Sequence, residues 1–291
     1  MRAGAGEASA QEAARSAAAR LEQAGVPEPV ASAEVLLAEL LGIGRAELAL
    51  TASDVQLTAE QASLYEAWIS RRMKREPVQR ILGYAYFRNL VLDLNEETLI
   101  PRPDTESVVD AALEQIDSRG YPCAVLDVGT GSGAIAISIA QERPRCEVHA
   151  SDISEAALWI ARQNAAKNDA PISFHKADVA SGLHSLNGSI DLLISNPPYV
   201  DEISAPRRLA PEVREWDPPA ALYSGTDELA FFKRIFAETP LLLKRAADVV
   251  LEIGEGQAEK VQDMGSKFGF VPLGVRNDLA GTPRAVLLRW G

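Results

Sequence analysis

The sequence is poor in the residues that build metal centres and disulfide frameworks. Its 291 residues include two cysteines, Cys123 and Cys146, and three histidines. Neither cysteine has a second cysteine or a histidine at the spacing of metal ligands. We therefore interpret both cysteines as free thiols in a reducing compartment rather than as a disulfide or a zinc site, and we expect no metal.

Long apolar runs are absent as well. No stretch approaches the length of a membrane span, and Glu7, Glu12, Arg15 and Arg20 interrupt the alanine-rich start where a signal peptide would be apolar. Apolar residues still make up 47% of the chain and charged residues 24%, which excludes an intrinsically disordered protein. We expect a globular, cytoplasmic protein with room for one large domain and a smaller one.

An excess of positive charge is also missing. The chain has 29 Lys and Arg residues against 41 Asp and Glu residues, a formal net charge of −12. Because nucleic-acid binding depends on cations that displace counterions, this balance argues against a DNA or RNA partner. The one dense basic cluster, 71–75, ends a predicted helix, and we interpret it as a solvated helix end. We expect no membrane partner, and a monomer because no exposed heptad or long apolar stripe is evident.

Hydrophobic spacing divides the chain into three parts: a helical domain over 1–75, a linker over 76–98 with a β-hairpin, and an α/β domain over 99–291. In the last part, apolar strands alternate with helices, which predicts a mostly parallel sheet covered on both faces and closed by an antiparallel pair. The seven predicted strands cover 124–128, 148–151, 172–175, 192–195, 249–253, 271–275 and 285–289. The predicted helices cover 9–25, 27–41, a third opening at 58, 105–116, 134–141, 155–168, 227–243 and 257–268.

A glycine-rich turn, 127–133 (Asp-Val-Gly-Thr-Gly-Ser-Gly), follows the first of these strands and opens a helix. Its three glycines let the backbone turn sharply and approach a ligand closely. Asp152 ends the next strand, where a carboxylate can accept hydrogen bonds from both hydroxyls of a ribose. Because Gly129, Gly131 and Ala134 also satisfy the dinucleotide spacing, this loop alone leaves S-adenosylmethionine and a nicotinamide dinucleotide equally open.

A second motif, Asn196-Pro197-Pro198-Tyr199, directly follows the strand 192–195. In an open α/β sheet, ligands gather outside the carboxyl ends of the strands. The two prolines restrict the backbone and cannot donate N–H groups, which leaves the Asn196 side-chain oxygen and a backbone carbonyl as acceptors. Two fixed acceptors can take both hydrogens of a planar –NH2 group, and Tyr199 offers a ring to pack against it.

With these motifs the sequence resembles the HemK-type protein-(glutamine-N5) methyltransferases, which modify the Gly-Gly-Gln glutamine of class-I translation release factors. The resemblance runs from about Glu76 to the end. Adenine-N6 methyltransferases share the Asn-Pro-Pro-Tyr motif, whereas 99–106 (Leu-Ile-Pro-Arg-Pro-Asp-Thr-Glu) and 278–281 (Asp-Leu-Ala-Gly) indicate the release-factor group. The other matching positions are 76–78, Gly83, Phe87, 127–133, Asp152 and 251–254.

The resemblance implies a class I methyltransferase-like Rossmann fold with a smaller N-terminal helical domain. It implies S-adenosyl-L-methionine as the cofactor and class-I peptide chain release factors as protein substrates. Asn196, Pro197 and Tyr199 would be catalytic, and these three with Pro198 would bind the target glutamine. The residues that it assigns to the cofactor are Gly129, Thr130, Gly131, Ser132, Gly133, Asp152, Asp178, Val179 and Asn196.

Three positions depart from the family pattern: Val179 replaces an aromatic residue, Asp217 a glutamate and Glu228 a glycine. Arg102 and Glu106 fit an ion pair or a helix start as well as they fit a contact with cofactor or substrate. Two other functions also stay open. One is an adenine-N6 methyltransferase acting on DNA or RNA, and the other is a nicotinamide-dependent oxidoreductase, which only the glycine spacing supports.

Overall fold

A computed structural model of the chain describes residues 9–203 and 209–291; Glu7 lies outside them. These residues form two compact units. One comprises the described residues up to 83 together with 211–216, and the other comprises those of 84–210 together with 217–291. The three-part division at 75 and 98 stays a prediction.

The bounds of the regular elements follow the predicted alternation of helices and strands. The helices are α1 (Ala10–Gln23), α2 (Pro29–Leu41), α3 (Arg45–Thr51), α4 (Ala59–Met73), α5 (Val78–Leu82), α6 (Pro103–Arg119), α7 (Ala134–Glu142), α8 (Glu155–Lys167), α9 (Pro211–Arg214), α10 (Pro219–Leu222), α11 (Ala230–Glu238) and α12 (Ala258–Lys267). The strands are β1 (Tyr84–Phe87), β2 (Leu90–Asp93), β3 (Cys123–Val128), β4 (Cys146–Asp152), β5 (Ile172–Lys176), β6 (Ile190–Ser195), β7 (Leu243–Glu252), β8 (Phe270–Asn277) and β9 (Pro283–Trp290). No helix within the described ranges is long and apolar enough to cross a membrane.

The first unit is helical, and its two longest helices begin with capping boxes. Ser9 caps α1 with Glu12, and Thr58 caps α4 with Gln61, so the first backbone N–H groups of both helices are satisfied. Leucine and isoleucine side chains together with Tyr65 fill the core between α1, α2 and α4. The short helices α3 and α5 escaped the sequence analysis because each spans too few residues to show a period.

The basic cluster at the end of α4 is not the solvated helix end that the sequence suggested. Arg72 is only 5% exposed, and its guanidinium donates to Glu212 of α9 at 3.1 Å. Arg75 donates to the same carboxylate at 2.7 Å, and Arg71 pairs with Glu76. That interpretation was wrong because the acidic partner Glu212 lies far away in the sequence.

The second unit contains the predicted sheet, and the fold class is confirmed. Seven strands run in the order β5-β4-β3-β6-β7-β9-β8, in which β5 to β7 pair in parallel and β9 pairs antiparallel with both β7 and β8. Every residue of β3 and β6 is buried, as expected for central strands covered on both faces. Helices α6 and α7 pack in the apolar core on one face, and α11 and α12 pack in the core on the other.

A two-stranded hairpin of β1 and β2 is tied to the sheet through Asn164, a buried residue of α8. The Asn164 side-chain oxygen accepts from the Asp93 backbone N–H at 2.8 Å. Its –NH2 group donates to the carbonyls of Asp93 and Ser132, at 3.0 and 2.9 Å. One amide therefore joins the hairpin to the glycine-rich turn.

The helix predicted over 227–243 was too long at both ends. The Asp227 side chain accepts from the Leu229 backbone N–H at 2.9 Å, an Asx turn that delays the start of α11 to Ala230. At the other end Pro240 cannot donate to a continuing helix, so a short 3-10 turn follows and β7 begins at Leu243.

Candidate active site

The glycine-rich turn joins β3 to α7 with three glycines in the left-handed region, at φ values of +74° for Gly129, +56° for Gly131 and +87° for Gly133. A Cβ added at Gly129 or Gly131 would meet no atom within 4 Å, so bare backbone faces open space there. A Cβ at Gly133 would instead lie 2.9 Å from the Ile137 side chain. The first two glycines thus leave room for a ligand, and the third allows the helix to pack.

Asp152 ends β4 beside this turn. Its carboxylate accepts from the backbone N–H groups of Gly131 and Ser154, both at 2.9 Å. Burial raises the pKa of Asp152, while these backbone donors lower it. Because an ionised carboxylate has about four acceptor sites, two hydrogen bonds leave capacity for the two hydroxyls of a ribose.

A cavity of 340 Å³ opens at the carboxyl ends of these strands, within the second unit. Its wall includes most of the residues predicted for the site, namely 129–132, Asp152, 178–179 and 196–198. Val179 lies there with φ of +54°, a strained conformation for a β-branched residue, in a turn closed by hydrogen bonds between the backbones of Asp178 and Ser181. Of the residues predicted for the site, Gly133 and Tyr199 do not line the cavity.

The Asn196 amide lies at the same edge because β6 ends beside β3. Ser195 donates its hydroxyl to the Val128 carbonyl at 2.7 Å, which joins the two strand ends. The Asn196 –NH2 group then donates to the Thr105 hydroxyl oxygen at 3.3 Å. Since the –NH2 faces Thr105, the side-chain oxygen of Asn196 remains available as an acceptor.

A buried carboxylate stands behind Asn196 and Tyr199. Glu252, at the end of β7, accepts from the Thr105 hydroxyl at 2.7 Å and from the Tyr199 hydroxyl at 3.3 Å. Burial raises the pKa of Glu252 to about 7, against the lowering effects of the Thr105 hydrogen bond and the positive charge of Arg284. The result is a continuous chain of hydrogen bonds from Asn196 through Thr105 and Glu252 to Tyr199.

Tyr199 holds the Asn-Pro-Pro-Tyr loop in place and does not line the cavity. Its carbonyl accepts from the Gln257 amide at 3.0 Å, and Gln257 in turn accepts from the Gly254 N–H at 2.9 Å. A Cβ at Gly254 would lie 3.1 Å from the Tyr199 ring, so a glycine there lets the ring pack closely. Burial raises the pKa of Tyr199, and the charge of Glu252 raises it further. Tyr199 therefore anchors the loop.

Arg102 and Glu106, whose roles the sequence left open, make different contacts in the structure. Arg102 lines the cavity and pairs with the buried carboxylate of Asp217, one of the positions that depart from the family pattern. Glu106 accepts from the Arg88 backbone N–H at 3.0 Å and so holds the turn of the hairpin. Glu228, another departure, accepts from Gln257 at 3.1 Å and pairs with Lys260.

Several residues of the site, three of which line the cavity, were not predicted from the sequence. Thr105 looked like the start of a helix, and Glu252 like the end of an apolar strand. Phe231 and Arg234 line the cavity and come from α11, whose buried side chains share an apolar core with β6 and β7. For Glu252 a signal did exist, since an acidic residue that directly follows the run 247–251 (Ala-Asp-Val-Val-Leu) is expected to be buried with partners.

The donor set and shape fit an adenosyl compound. The glycine backbone faces open space, and Asp152 can accept from paired hydroxyls. In the Asn-Pro-Pro corner, the two prolines carry carbonyl acceptors and no N–H donors. Within the described ranges, no group of His, Cys, Asp and Glu side chains could hold a metal ion. The glycine turn and Asp152 on one part of the wall, and the Asn-Pro-Pro corner on another, offer places for two organic ligands side by side.

Two known protein families match this chain, one in its N-terminal helical part and one in its α/β part. Residues 12–83 match the family described as the PrmC N-terminal domain. Residues 109–213 match the family described as the methyltransferase small domain, which contains both motifs of the candidate site.

Individual relatives match over nearly the whole chain. A release factor glutamine methyltransferase from Streptomyces coelicolor is 39% identical over 244 residues, which cover 83% of this chain and 84% of that protein. Another, from Cereibacter sphaeroides, is 37% identical over 283 residues, covering 96% and 98%. Among solved structures, a methyltransferase from Pyrococcus furiosus has a TM-score of 0.52 at 16% identity, covers 79% of this chain and 99% of that one, and supports the fold alone.

Proposed function

The chain belongs to the release factor glutamine methyltransferase family, and from this premise we propose that it methylates the side-chain nitrogen of the Gly-Gly-Gln glutamine in class-I release factors. The methyl donor of this family is S-adenosylmethionine. The observation that carries the proposal is the Asn196 oxygen, held free as an acceptor at the edge of the cavity lined by the glycine turn and Asp152.

The cofactor would be held by residues that line one side of the cavity. The backbone of Gly129 and Gly131 would lie against its methionine and ribose portions, and the Asp152 carboxylate would accept from the ribose hydroxyls. Asp178 and Val179 would lie beside the adenine. When bound, S-adenosylmethionine supplies an electrophilic methyl group on its sulfonium.

The substrate amide would be held by acceptors. The Asn196 side-chain oxygen and the Pro197 carbonyl can each accept one hydrogen of the glutamine –NH2 group. Two acceptors orient the nitrogen and stabilise the positive charge that develops on it during attack. Positioning of this kind can contribute roughly 7–11 kcal/mol to lowering a barrier.

A transfer assay tests this function directly. Purified protein is incubated with methyl-labelled S-adenosylmethionine and, in separate reactions, with a class-I release factor, with its Gln→Ala variant in the Gly-Gly-Gln motif, and with duplex DNA. We expect label in the unaltered factor alone. Equal labelling of the Gln→Ala factor would overturn the assignment of the acceptor, and labelling of DNA would favour an adenine-N6 methyltransferase.

Two properties follow from this substrate. A release-factor substrate implies a cytoplasmic enzyme, and a single chain carries both the cofactor residues and the amide acceptors, so the proposal needs no second subunit. We propose a monomer, which sedimentation of the purified protein at assay concentrations would measure.

A further inference from the structure

The Thr105 hydroxyl decides which way the Asn196 amide faces. Its oxygen lies 2.7 Å from a carboxylate oxygen of Glu252 and 3.3 Å from the Asn196 amide nitrogen. A hydroxyl has one hydrogen to donate and two lone pairs to accept with. Because an ionised carboxylate can only accept, Thr105 donates its single hydrogen to Glu252. It must then accept from Asn196, which turns the –NH2 towards Thr105.

The carboxylate is itself held from several sides. Glu252 is 2% exposed, and its second oxygen accepts from the Tyr199 hydroxyl at 3.3 Å. The charged groups that act on it are Arg284 of β9 and Asp104 of α6, which affect its pKa in opposite directions. The whole cluster belongs to the second unit, and its members come from the start of α6, the loop after β6, the end of β7 and the start of β9.

We propose that Thr105 and Glu252 are positioning residues for methyl transfer: the Glu252 carboxylate, acting through the Thr105 hydroxyl, keeps the Asn196 side-chain oxygen turned towards the substrate amide. This inference rests on the proposed function. It adds that the orientation of the acceptor depends on where the proton lies between Thr105, which lines the cavity, and the buried Glu252 carboxylate. Neither residue needs to touch the reacting atoms.

Protonation of Glu252 reverses this arrangement. Burial raises the pKa of Glu252 to about 7, so the carboxyl gains its proton as the pH falls through that value. A protonated carboxyl can donate to the Thr105 oxygen, which frees the Thr105 hydrogen for the Asn196 side-chain oxygen. The Asn196 –NH2 would then face the substrate –NH2, donor against donor. Activity therefore falls on the acidic side of about pH 7.

The experiment measures kcat and KM for the release factor, and cofactor affinity by calorimetry. The pH runs from about 5.5 to about 8.5, a range that brackets the expected pKa near 7. We expect Thr105→Val to lower kcat/KM about ten- to hundredfold, the effect of one hydrogen bond that involves a charged group. Thr105→Ser, which keeps the hydroxyl, should restore nearly all of it. Glu252→Gln cannot change its charge, so it should lose the acidic limb of the pH profile.

A matched control separates positioning from stability. Thr239 is a fully buried threonine of the same unit whose hydroxyl donates to the Ile235 carbonyl at 2.7 Å, outside the cavity wall described above. Thr239→Val should lower the melting temperature yet leave kcat/KM and the pH profile unchanged. Combining Thr105→Val with Glu252→Gln should cost little more than the larger single loss, because both act through one chain of hydrogen bonds.

The outcomes separate this inference from the function itself. Absence of methyl transfer by the unaltered protein would reject the proposed function. Transfer by the unaltered protein, with normal kcat/KM in Thr105→Val or an acidic limb that persists in Glu252→Gln, would reject the positioning role alone.

Discussion

Replacing Asp152 with alanine removes the one carboxylate that we assign to the cofactor ribose. The carboxylate already accepts from Gly131 and Ser154, and its remaining capacity faces the cavity. A hydrogen bond to an ionised group contributes about 1.5–3 kcal/mol. Loss of two such bonds to ribose hydroxyls should therefore weaken cofactor binding by at least ~3 kcal/mol, or about a hundredfold.

The assay compares two ligands by calorimetry: S-adenosylhomocysteine, which cannot transfer a methyl group, and its analogue without the 2′-hydroxyl. The unaltered protein should bind the first more tightly, whereas Asp152→Ala should bind both with similar affinity. Asp191→Ala provides the control. The Asp191 carboxylate also accepts from a backbone N–H, that of Ala124 at 2.9 Å, but Asp191 lies at the opposite end of β6 from the cavity. The Asp191→Ala protein should be less stable than the unaltered protein, yet it should still bind S-adenosylhomocysteine more tightly than the analogue without the 2′-hydroxyl.

Discrimination between the two ligands is the deciding quantity. If Asp152→Ala still preferred the compound with both hydroxyls by the same factor, Asp152 would not contact the ribose. An equal loss of affinity for both ligands would indicate instead that the backbone segments of Gly131 and Ser154, which donate to this carboxylate, are distorted.

Four other substitutions follow from contacts described above. Gly131→Ala places a methyl group at the open face of the turn and should weaken S-adenosylhomocysteine binding more than stability, whereas Gly133→Ala crowds Ile137 and should mainly lower the melting temperature. Asn164→Ala removes two hydrogen bonds to the hairpin and one to the glycine turn. It should destabilise the protein by about 2–4 kcal/mol in chemical denaturation, at roughly 1 kcal/mol per bond. An unchanged free energy of unfolding would contradict the structural role of Asn164. Asn196→Ala should keep cofactor affinity and lower turnover about a hundredfold or more, the scale of one lost transition-state contact; normal turnover would remove Asn196 from the mechanism.

The fold could be predicted because each strand of the sheet carries its own signal. Buried strands such as β3 and β6 are apolar runs bounded by turn residues, and the helices between them repeat with a clear period. The resemblance drawn from the motifs is confirmed by relatives that match over most of the chain. Short elements such as α3 and α5 were missed because one or two helical turns are too few to show a period.

The residues that line the cavity could be named from the sequence where a motif is continuous, or where a residue follows a predicted strand as Asp152 does. The glycine turn and the Asn-Pro-Pro corner are each one short segment, and both line the cavity. Thr105 and Glu252 join the site through contacts across 91 and 147 residues of sequence. The burial of Glu252 had a local signal, but no local pattern shows that its partner is Thr105. The predicted contact of Tyr199 with the substrate remains a prediction, and the hydroxyl of that residue is directed to Glu252.

The separation in sequence of Asn196, Thr105 and Glu252 has a consequence for biosynthesis. A ribosome must translate past β7 before a nascent chain contains all three groups, and the sheet must assemble before they meet. Long-range pairing of this kind is slow to form, because chain closure precedes the contacts that stabilise it. During refolding, recovery of turnover should consequently lag behind helix formation and coincide with completion of the central sheet.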